Sequence, residues 1–320
     1  MNNVQNFIFK IRHAWRKGQF LERCRRAVIV RWNALLYRLS PVLLAKMRYY
    51  RARGRWPDLT NPSTFDEKLM WLMLYWRDPL KTSCADKYEL RSYASKLNLS
   101  HLLPPLLAVY ERSDEIDVDM LPVAFVLKAA HGSGMNIFCR DKSRLDVDTT
   151  QRKADIWLHT DYGTKHGELH YSDMKPRIIV EPLLTQEDGR IPADYKLYCY
   201  GGRVHCTLAC TERDPTSDLS SGVKFDFYNH DWSKKLVYSR SSLKANRQIP
   251  KPAAYEEMVA AAEILSRPFP FVRVDFYCVN GRAVLGELTF TPEACIDTGY
   301  TELGQHALGE LIELPSKTSR

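Results

Sequence analysis

Apolar positions recur with a helical period over three segments of the chain. The segments are FDEKLMWLMLYW (65–76), ADKYELRSYASKLN (85–98) and AYEEMVAAAEILS (254–266). Apolar residues three and four positions apart form one face of a helix, so each segment is predicted to be helical. Thr64 followed by Glu67 fits a capping box, which predicts that the first of these helices begins just after Thr64.

From about residue 123 the pattern changes to short apolar runs that are typical of strands. Strands are predicted at 123–130, 135–140 and 176–183, and a helix at about 149–160. Further along, the pattern predicts two strands within 194–210, joined at Gly201 and Gly202, a loop-rich stretch at 211–250 and a hairpin at 271–290. Helices mixed with antiparallel hairpins, without a regular βαβ alternation, predict the α+β class.

The final hairpin carries two acids around an Asn-Gly turn at 280–281. A two-residue loop leaves Glu287 on the face opposite Asp275. A three-residue loop places Arg273, Asp275, Glu287 and Thr289 on one face, because side chains alternate along a strand. Two neighbouring carboxylates in a mostly apolar hairpin are costly unless a cation lies between them, and Mg²⁺ prefers such oxygen ligands. We favour this metal-binding interpretation, and the alternative is that both acids face solvent on an edge hairpin.

Composition adds a strongly basic N-terminal region. Residues 1–55 hold 14 Lys and Arg against one acid, Glu22, whereas the whole chain of 320 residues has a net charge of +8. Its apolar residues, interrupted by arginines, predict a basic amphipathic helical segment over 1–60. Contact with a membrane surface, packing on the body of the protein and nucleic-acid binding compete as explanations. No nucleic-acid motif supports the third, so we expect no nucleic-acid partner.

Other motifs narrow the class of protein. Eight cysteines without a CxxC pair indicate a reducing compartment and hence a cytoplasmic location. A peripheral position at the inner face of the membrane is compatible with this prediction. The sequence has neither a P-loop nor the kinase motifs. Three weak alternatives are a metal pair in HGELH (166–170), glycosyltransferase-like DVD at 117–119 and 146–148, and Cys295 as a nucleophile.

The segment FVLKAAHGSG (125–134) delivers Lys128 at the end of a predicted strand and continues into a loop of small residues. Glycines let backbone N–H groups approach an anion, and a lysine adds positive charge. This pattern is consistent with phosphate binding. Taken alone, it is equally consistent with a tight hairpin beside a solvated lysine.

In combination, TFDEKLMW, FVLKAAHGSG, DYK and FPFVRVDFY…GELTF resemble the TupA-like ATP-grasp proteins of bacterial surface-polysaccharide loci. The resemblance implies an ATP-grasp fold in which two α+β subdomains grip ATP, preceded by a basic helical segment. It implies an ATP-grasp domain over 61–315, divided into a nucleotide-binding subdomain at about 116–183 and a metal and substrate subdomain at about 184–315.

The resemblance also implies which residues bind ATP. Lys87 and Lys128 are similar to the two lysines that hold the phosphates. Gly132, Ser133 and Gly134 are similar to the loop that closes over them, and His131 belongs to the same motif without an assigned role. Glu181 is similar to the hinge acid that accepts from the adenine amino group. Glu187 or Asp188 would take the ribose hydroxyls, and the spacing does not choose between them.

For the chemistry, the resemblance assigns Mg²⁺ to Asp275 and Glu287, with Thr289 where many relatives have asparagine. Arg273 would stabilise an acylphosphate or its tetrahedral intermediate, and Lys196 would orient the γ-phosphate or the carboxylate substrate. Glu293 stands where a small residue is expected, which leaves the acceptor pocket undefined.

The activity implied is ATP-dependent ligation of a carboxylate to an amine through an acylphosphate. The carboxylate would be a uronic acid of a capsule, O-antigen or teichuronic-type glycan, and the amine an amino acid or another amine. Three alternatives stay open: a glycosyltransferase of the same pathway, an ATP-dependent kinase on the same fold, and a non-catalytic membrane-surface scaffold with a degenerate ATP site.

Overall fold

A computed structural model describes residues 32–212, 222–245 and 247–318 of the chain. Residues 32–39 are helical. The longer helices that follow are α1 (Pro41–Arg53), α2 (Phe65–Tyr75), α3 (Pro79–Ala85), α4 (Glu89–Lys96), α5 (Val147–Leu158), α6 (Tyr162–His166), α7 (Tyr255–Ser266) and α8 (Glu302–Glu310). The strands are β1 (Ala108–Tyr110), β2 (Phe125–Ala129), β3 (Asn136–Cys139), β4 (Ile178–Pro182), β5 (Asp194–Tyr200), β6 (Arg203–Thr211), β7 (Lys224–Asn229), β8 (Lys235–Leu236), β9 (Val272–Val279) and β10 (Arg282–Thr289).

Helix α1 belongs to the basic N-terminal region and packs on the body of the protein. The Ser40 hydroxyl caps it by accepting from the Leu43 N–H, and Gly54 ends it in the left-handed conformation. Leu44 and Tyr49 are almost fully buried. The packing alternative therefore holds for residues 41–53. Residues 1–31 of the predicted amphipathic segment lie outside the described residues.

Helix α2 begins with the predicted capping box. The Thr64 hydroxyl accepts from the Glu67 N–H at 3.4 Å, and the Glu67 carboxylate accepts from the Thr64 N–H at 3.3 Å. Nearly every side chain of the helix is buried in the larger of two cores. The predictions of α4, α5 and α7 are also confirmed, with ends that differ by a few residues.

The described strands form two antiparallel sheets. In the first, the order is β1-β4-β2-β3, and helix α5 buries Ala154 in a core with Phe125, Leu127 and Val180. Strand β1 belongs to the first sheet, because Ala108 to Tyr110 pair with β4. It lies before residue 116, where the nucleotide-binding subdomain was predicted to begin. The first sheet therefore starts about eight residues before that predicted boundary.

In the second sheet the order is β10-β9-β5-β6-β7-β8. Strands β5 and β6 are joined at Gly201 and Gly202, both with positive φ, as the sequence predicts. Strand β7 lies within 211–250, which is predicted as a loop-rich stretch without an assigned strand. Its inner residue Phe227 is fully buried, so tertiary packing sets this strand.

The β9–β10 hairpin differs from its predicted register in an informative way. Arg282 pairs with Val279 across Asn280 and Gly281, both with positive φ, so the loop has two residues and the three-residue expectation is wrong. A β-bulge between Leu285 and Glu287 then shifts the pairing by one residue. Glu287 consequently faces Asp275 after all, and the acids share one face of the sheet.

Candidate active site

The centre of the candidate site is a set of six charged residues and one threonine, all on adjacent strands except Lys87, which lies between α3 and α4. We call this set the charge cluster: Lys87, Asp194, Lys196, Arg273, Asp275, Glu287 and Thr289. Within it, Arg273 holds Asp275 through two hydrogen bonds of 2.8 and 2.7 Å. The same guanidinium donates to the Thr289 hydroxyl at 3.2 Å, and that hydroxyl donates to Glu287 Oε1 at 3.2 Å. A forked guanidinium therefore fixes both predicted acids from one side.

Lys196 approaches the acids from β5, where it lies directly opposite Asp275. Its Nζ is 2.7 Å from Asp275 Oδ2 and 3.0 Å from Asp194 Oδ2. Burial alone would lower the pKa of Lys196, but the carboxylates of Asp194 and Asp275 raise it well above its usual value. Lys196 is consequently a fixed positive charge and not a proton acceptor at neutral pH.

Glu287 is the partly exposed acid of the cluster. Burial alone would raise its pKa, but Lys87, Lys196 and Arg273 lower it to about 2. It stays ionised throughout the physiological range, as a metal-ligating carboxylate must.

Lys87 joins the charge cluster to the first sheet. It lies between α3 and α4, and its backbone N–H donates to Ala130 O at 3.1 Å. Its Nζ donates to Gly132 O at 2.7 Å and lies 3.2 Å from Glu287 Oε2. A single ammonium therefore connects the glycine-containing loop to a predicted metal ligand.

The loop at 132–134 has two differently constrained glycines. A Cβ on Gly132 would come within 2.7 Å of the Tyr162 ring, so no larger residue fits there. Gly134 has open space around it but a φ of +72°, which disfavours residues with a side chain. Ser133 is exposed and hydrogen bonds with Tyr162.

His131 is placed behind this loop. It is almost fully buried, its Nε2 lies 2.9 Å from Trp157 O, and its Nδ1 accepts from the Arg177 N–H at 3.4 Å. The acceptor at Nδ1 requires the proton on Nε2. Both ring nitrogens are occupied by backbone groups, so this side chain holds the loop and has no nitrogen left for a phosphate.

Lys128 and Glu181 are brought together on neighbouring strands of the first sheet. Lys128 Nζ lies 2.6 Å from Glu181 Oε2, and Arg91 Nη1 lies 3.3 Å from Glu181 Oε1. Sequence reasoning missed Arg91, although it follows Lys87 by one helical turn. Since a carboxylate accepts about four hydrogen bonds, Glu181 keeps capacity for an amino group such as that of adenine.

The two candidate ribose acids lie in a turn that the hairpin tip anchors. The Glu187 N–H donates to Asn280 Oδ1 at 3.0 Å, and Gln186 Nε2 donates to Cys278 O at 2.7 Å. Asp188 is exposed and pairs with Arg190 at 2.6 Å. The geometry brings neither acid into the charge cluster, and the choice between them stays a prediction.

Glu168 is a buried acid that sequence reasoning considered only as part of HGELH. It accepts from the Thr291 hydroxyl at 2.5 Å, and burial raises its pKa to about 7. Helix α6 ends at His166 and Gly167 is left-handed, so the two histidines of the motif do not share a helix. Cys295 is buried against the Met73 sulfur, and burial raises the pKa of its thiol, which argues against a nucleophile.

The turn after β10 has an unusual backbone. Glu293, Ala294 and Cys295 have φ values of 48°, 52° and 64°, a left-handed run of non-glycine residues. Such conformations are costly and persist only where the surrounding structure enforces them. Glu293, the unexpected residue of the sequence pattern, is accommodated here because it is exposed.

The oxygen atoms of the cluster fit a Mg²⁺ ion that is shared with phosphates. Among the residues that the structure describes, no group of three or more His, Cys, Asp or Glu side chains is arranged to hold a metal. Asp275 and Glu287 offer two carboxylates, with the Thr289 hydroxyl beside Glu287. Mg²⁺ commonly takes one or two carboxylates and completes its shell with water and substrate phosphates.

Comparison with known proteins places the chain in a family. Residues 67–313, well over half of the sequence, match the family model described as TupA-like ATPgrasp. The chain belongs to the TupA-like ATP-grasp family. The predicted ATP-grasp fold is thereby confirmed.

Solved structures with a similar fold share little sequence. A D-alanine–D-alanine ligase from Bacillus anthracis is 12% identical, with 78% of this chain and 69% of that chain covered and a TM-score of 0.45. The D-cycloserine synthetase DcsG is 14% identical, with 73% and 70% covered and a TM-score of 0.41. The ATP-grasp ligase PsnB, complexed with a minimal precursor, is 12% identical, with 76% and 66% covered and a TM-score of 0.40. At these TM-scores the likenesses carry no weight for the site or the substrate. No curated protein matches the sequence.

Over the three described ranges, the helices are too short or too polar for any of them to cross a bilayer.

Proposed function

We propose that the protein is an ATP-dependent ligase that joins a carboxylate to an amine through an acylphosphate. The observation that carries this proposal is the charge cluster, in which the β-bulge turns Glu287 towards Asp275 and three cations surround the pair. Opposed acids with flanking cations suit a transferring phosphoryl group, because its charge is spread over several oxygens.

Different residues would bind the phosphates and the adenine of ATP. Lys87, Lys128 and the 132–134 loop would hold the phosphates, and Glu181 would accept from the adenine amino group. Asp275, Glu287 and Thr289 would hold Mg²⁺, which when bound neutralises the phosphate oxygens. Lys196 and Arg273 keep their positive charges because of the neighbouring carboxylates, so they orient anionic oxygens without exchanging protons.

The proposed chemistry has two steps. A carboxylate oxygen of the substrate forms a bond to the γ-phosphorus, the bond to the β–γ bridging oxygen breaks, and ADP leaves. The amine nitrogen then attacks the carbonyl carbon, the bond to the phosphate oxygen breaks, phosphate leaves and the nitrogen loses a proton. Arg273 would stabilise the negative charge that develops on the acyl oxygen.

For the substrates, we propose a uronic acid of a surface polysaccharide as the carboxylate and an amino acid or other amine as the nucleophile. The support is the resemblance of the motifs to proteins of surface-polysaccharide loci. The modified species would be a nucleotide-sugar, a lipid-linked repeat or a polymer, all of which carry the same carboxylate.

Phosphorus NMR of the products tests this function. Purified protein is mixed with MgATP, a uronic acid glycoside and a pool of amino acids. We expect ADP and phosphate only when both organic substrates are present, and omission of one amine at a time identifies the acceptor. A stable phosphate ester formed without amine would favour a kinase. UDP released from a UDP-sugar, with ATP intact, would favour a glycosyltransferase, and no turnover under any condition would favour the scaffold.

We also propose that the N-terminal region contacts the inner surface of the cytoplasmic membrane. Although α1 packs inward, the described part of the region exposes large apolar side chains among basic ones: Trp32, Leu35, Leu39, Leu43, Tyr50 and Trp56. Such a surface favours an anionic lipid interface. Co-sedimentation with phosphatidylglycerol vesicles should decrease when residues 1–39 are deleted. Unchanged sedimentation would contradict the proposal.

A further inference from the structure

The stretch of chain from the start of α6 to Tyr171 places three titratable side chains next to one another. We call them the 162–171 wall: Tyr162, Glu168 and Tyr171. The two tyrosine rings lie 4.9 Å apart between their centroids. Burial raises the pKa of both tyrosines, and the nearby charge of Glu168 raises them further. None of the three side chains has a role in the proposed binding of ATP or Mg²⁺.

One end of the wall is joined to the charge cluster through the glycine-containing loop. Tyr162 hydrogen bonds with Ser133, and its ring lies where a Cβ on Gly132 would come within 2.7 Å of it. The carbonyl of Gly132 accepts from Lys87, whose Nζ lies 3.2 Å from Glu287. A series of direct contacts therefore leads from Tyr162 to a predicted metal ligand.

The other end of the wall is joined to the charge cluster through the end of β10. Glu168 accepts from the Thr291 hydroxyl at 2.5 Å, and Thr291 follows Thr289 by two residues, which span at most about 7 Å. Burial raises the pKa of Glu168 and of Tyr171, and the charge of Glu287 raises both further. Both side chains are thus within electrostatic reach of Glu287, and the wall lies beside the charge cluster.

Glu168 has a carboxylate oxygen that nothing in the described protein holds. No ion pair engages this side chain within the described ranges, and its one hydrogen bond there, from Thr291, goes to Oε1. Oε2 has no partner, and neither has the hydroxyl of Tyr171. Neither atom is among the fully enclosed, unpaired atoms of the described residues, so both contact open space. The wall therefore offers a carboxylate oxygen and a phenol hydroxyl to a substrate.

The amide-forming step needs a proton acceptor, which the charge cluster does not provide. Lys196 and Arg273 are fixed cations, because neighbouring carboxylates outweigh burial and raise their pKa values. At Glu287 the cations outweigh burial and lower the pKa to about 2, so this acid is a weak base. The other two carboxylates of the cluster both pair with Lys196. By contrast, burial raises the pKa of Glu168 to about 7, which suits a general base at neutral pH.

We propose that Glu168 accepts a proton from the amine substrate and that the 162–171 wall is the amine side of the active site. This inference rests on the proposed ligase function. The amine arrives as an ammonium, an N–H bond breaks, and Glu168 Oε2 gains the proton while Oε1 keeps its hydrogen bond from Thr291. The freed lone pair forms the bond to the carbonyl carbon of the acylphosphate. The bond to the phosphate oxygen then breaks, and the leaving phosphate takes the second N–H proton.

Hydroxylamine separates this proton transfer from the rest of the reaction. It is mostly uncharged at neutral pH, so it attacks an acylphosphate without first losing a proton to the protein. Wild type and Glu168→Gln are compared with MgATP and methyl β-D-glucuronide, and the amine is either hydroxylamine or the pool of amino acids. We expect the variant to form hydroxamate within about threefold of the wild-type rate but amide at least about 100-fold more slowly.

The other outcomes are distinguishable. Equal losses of hydroxamate and amide would make Glu168 a structural residue, and unchanged amide formation would show that another group takes the proton. Either result overturns the proposal and leaves the ligase function standing. If wild type forms no hydroxamate, the ligase function is wrong and the inference fails with it. Glu256→Gln, which changes an exposed acid on α7, is the control and should keep both rates.

A second variant tests the same role through its pH dependence. A base acts when it is ionised, so wild-type amide formation should rise as pH rises through about 7. The Thr291 hydroxyl lowers the pKa of Glu168, so Thr291→Val should move this rise to higher pH and leave the hydroxamate profile in place. An amide profile that does not move would overturn the proposal. The charged and titratable neighbours of Glu168 are unchanged in this variant: Arg48, Tyr162, Tyr171, Glu287, Glu293 and Cys295.

Discussion

At the scale of single residues, Glu287 contacts both Lys87, which holds the glycine-containing loop, and Arg273, which holds Asp275. Its carboxylate lies 3.2 Å from Lys87. It shares Arg273 with Asp275 and accepts from the Thr289 hydroxyl. Removing its charge would leave Lys87 and Arg273 without a partner on that side. The residue therefore serves both the predicted metal and the arrangement of the cations.

We expect Glu287→Gln to lower ATP turnover by at least about 100-fold, because a charged metal ligand becomes a neutral amide. Turnover of both substrates and thermal unfolding are measured together, since the loss must occur in a folded protein. Glu256→Gln, in which an exposed acid on α7 is changed, is the matched control and should keep full activity. Normal turnover by the Glu287 variant would contradict the assigned site.

Glu168 predicts a particular dependence of stability on pH. Burial raises its pKa from an ordinary 4.5 to about 7, so its contribution is full below pH 4.5 and is lost as pH rises through about 7. Between pH 4.5 and pH 7, the Glu168→Gln variant should therefore lose on the order of 3 kcal/mol less unfolding free energy than the wild type. Urea unfolding at several pH values measures it. The Glu256→Gln curve should parallel that of wild type, and a Glu168→Gln curve that also parallels it would disprove the assignment.

At the scale of elements, the hairpin shows what a sequence can and cannot specify. The Asn-Gly turn and the alternation of side chains predicted the hairpin and the shared face of Asp275 and Glu287. The predicted loop length was wrong, because the loop has two residues and a bulge next to Gly286 brings the acids to one face. Gly286, an isolated glycine inside the strand pattern, is a local sign of a bulge that the prediction did not use, although the register is set by how the strand pairs and packs.

The same reasoning explains the other differences. The capping box at Thr64 was predictable because it involves groups three residues apart. By contrast, the role of His131 depends on Trp157 and Arg177, which lie far along the chain. Strand β7 depends on the tertiary packing that buries Phe227, which no local pattern shows. Arg91 was missed for the same reason, since only the fold shows that it contacts Glu181.

The 132–134 loop offers a matched pair of glycine substitutions. Gly132→Ala should weaken ATP binding strongly, because the new methyl group overlaps Tyr162 and displaces the carbonyl that holds Lys87. Gly134→Ala meets no neighbour and should cost only about 1–2 kcal/mol from its left-handed backbone. Equilibrium binding of an ATP analogue and thermal unfolding separate the two effects. Equal affinities in the two variants would mean that the loop does not position Lys87.

At the scale of the whole molecule, the basic N-terminal region divides into two parts at Ser40, the cap of α1. Deletion of residues 1–39 removes the buried Leu36 and the contact of the Tyr37 hydroxyl with Ser172, so it should lower unfolding free energy by about 1–3 kcal/mol. Deletion of 1–54 should lower it by several kcal/mol more, on the order expected when a buried acid such as Asp66 loses its cation. Urea unfolding of the two truncated chains measures the difference. Equal stability would show that α1 does not hold the body together.

The position of β9 has a consequence for the order in which the protein is made. This strand lies between β5 and β10 in the sheet, yet it follows β5 by more than seventy residues in the chain. On the ribosome, Asp194 and Lys196 therefore emerge long before the two acids of the hairpin, Asp275 and Glu287. Until β9 emerges, the edge of β5 that pairs with it remains unpaired. The charge cluster is completed only when the hairpin has left the exit tunnel. An unfinished chain therefore lacks both proposed metal ligands, and any activity that needs the charge cluster begins only after the hairpin has been made.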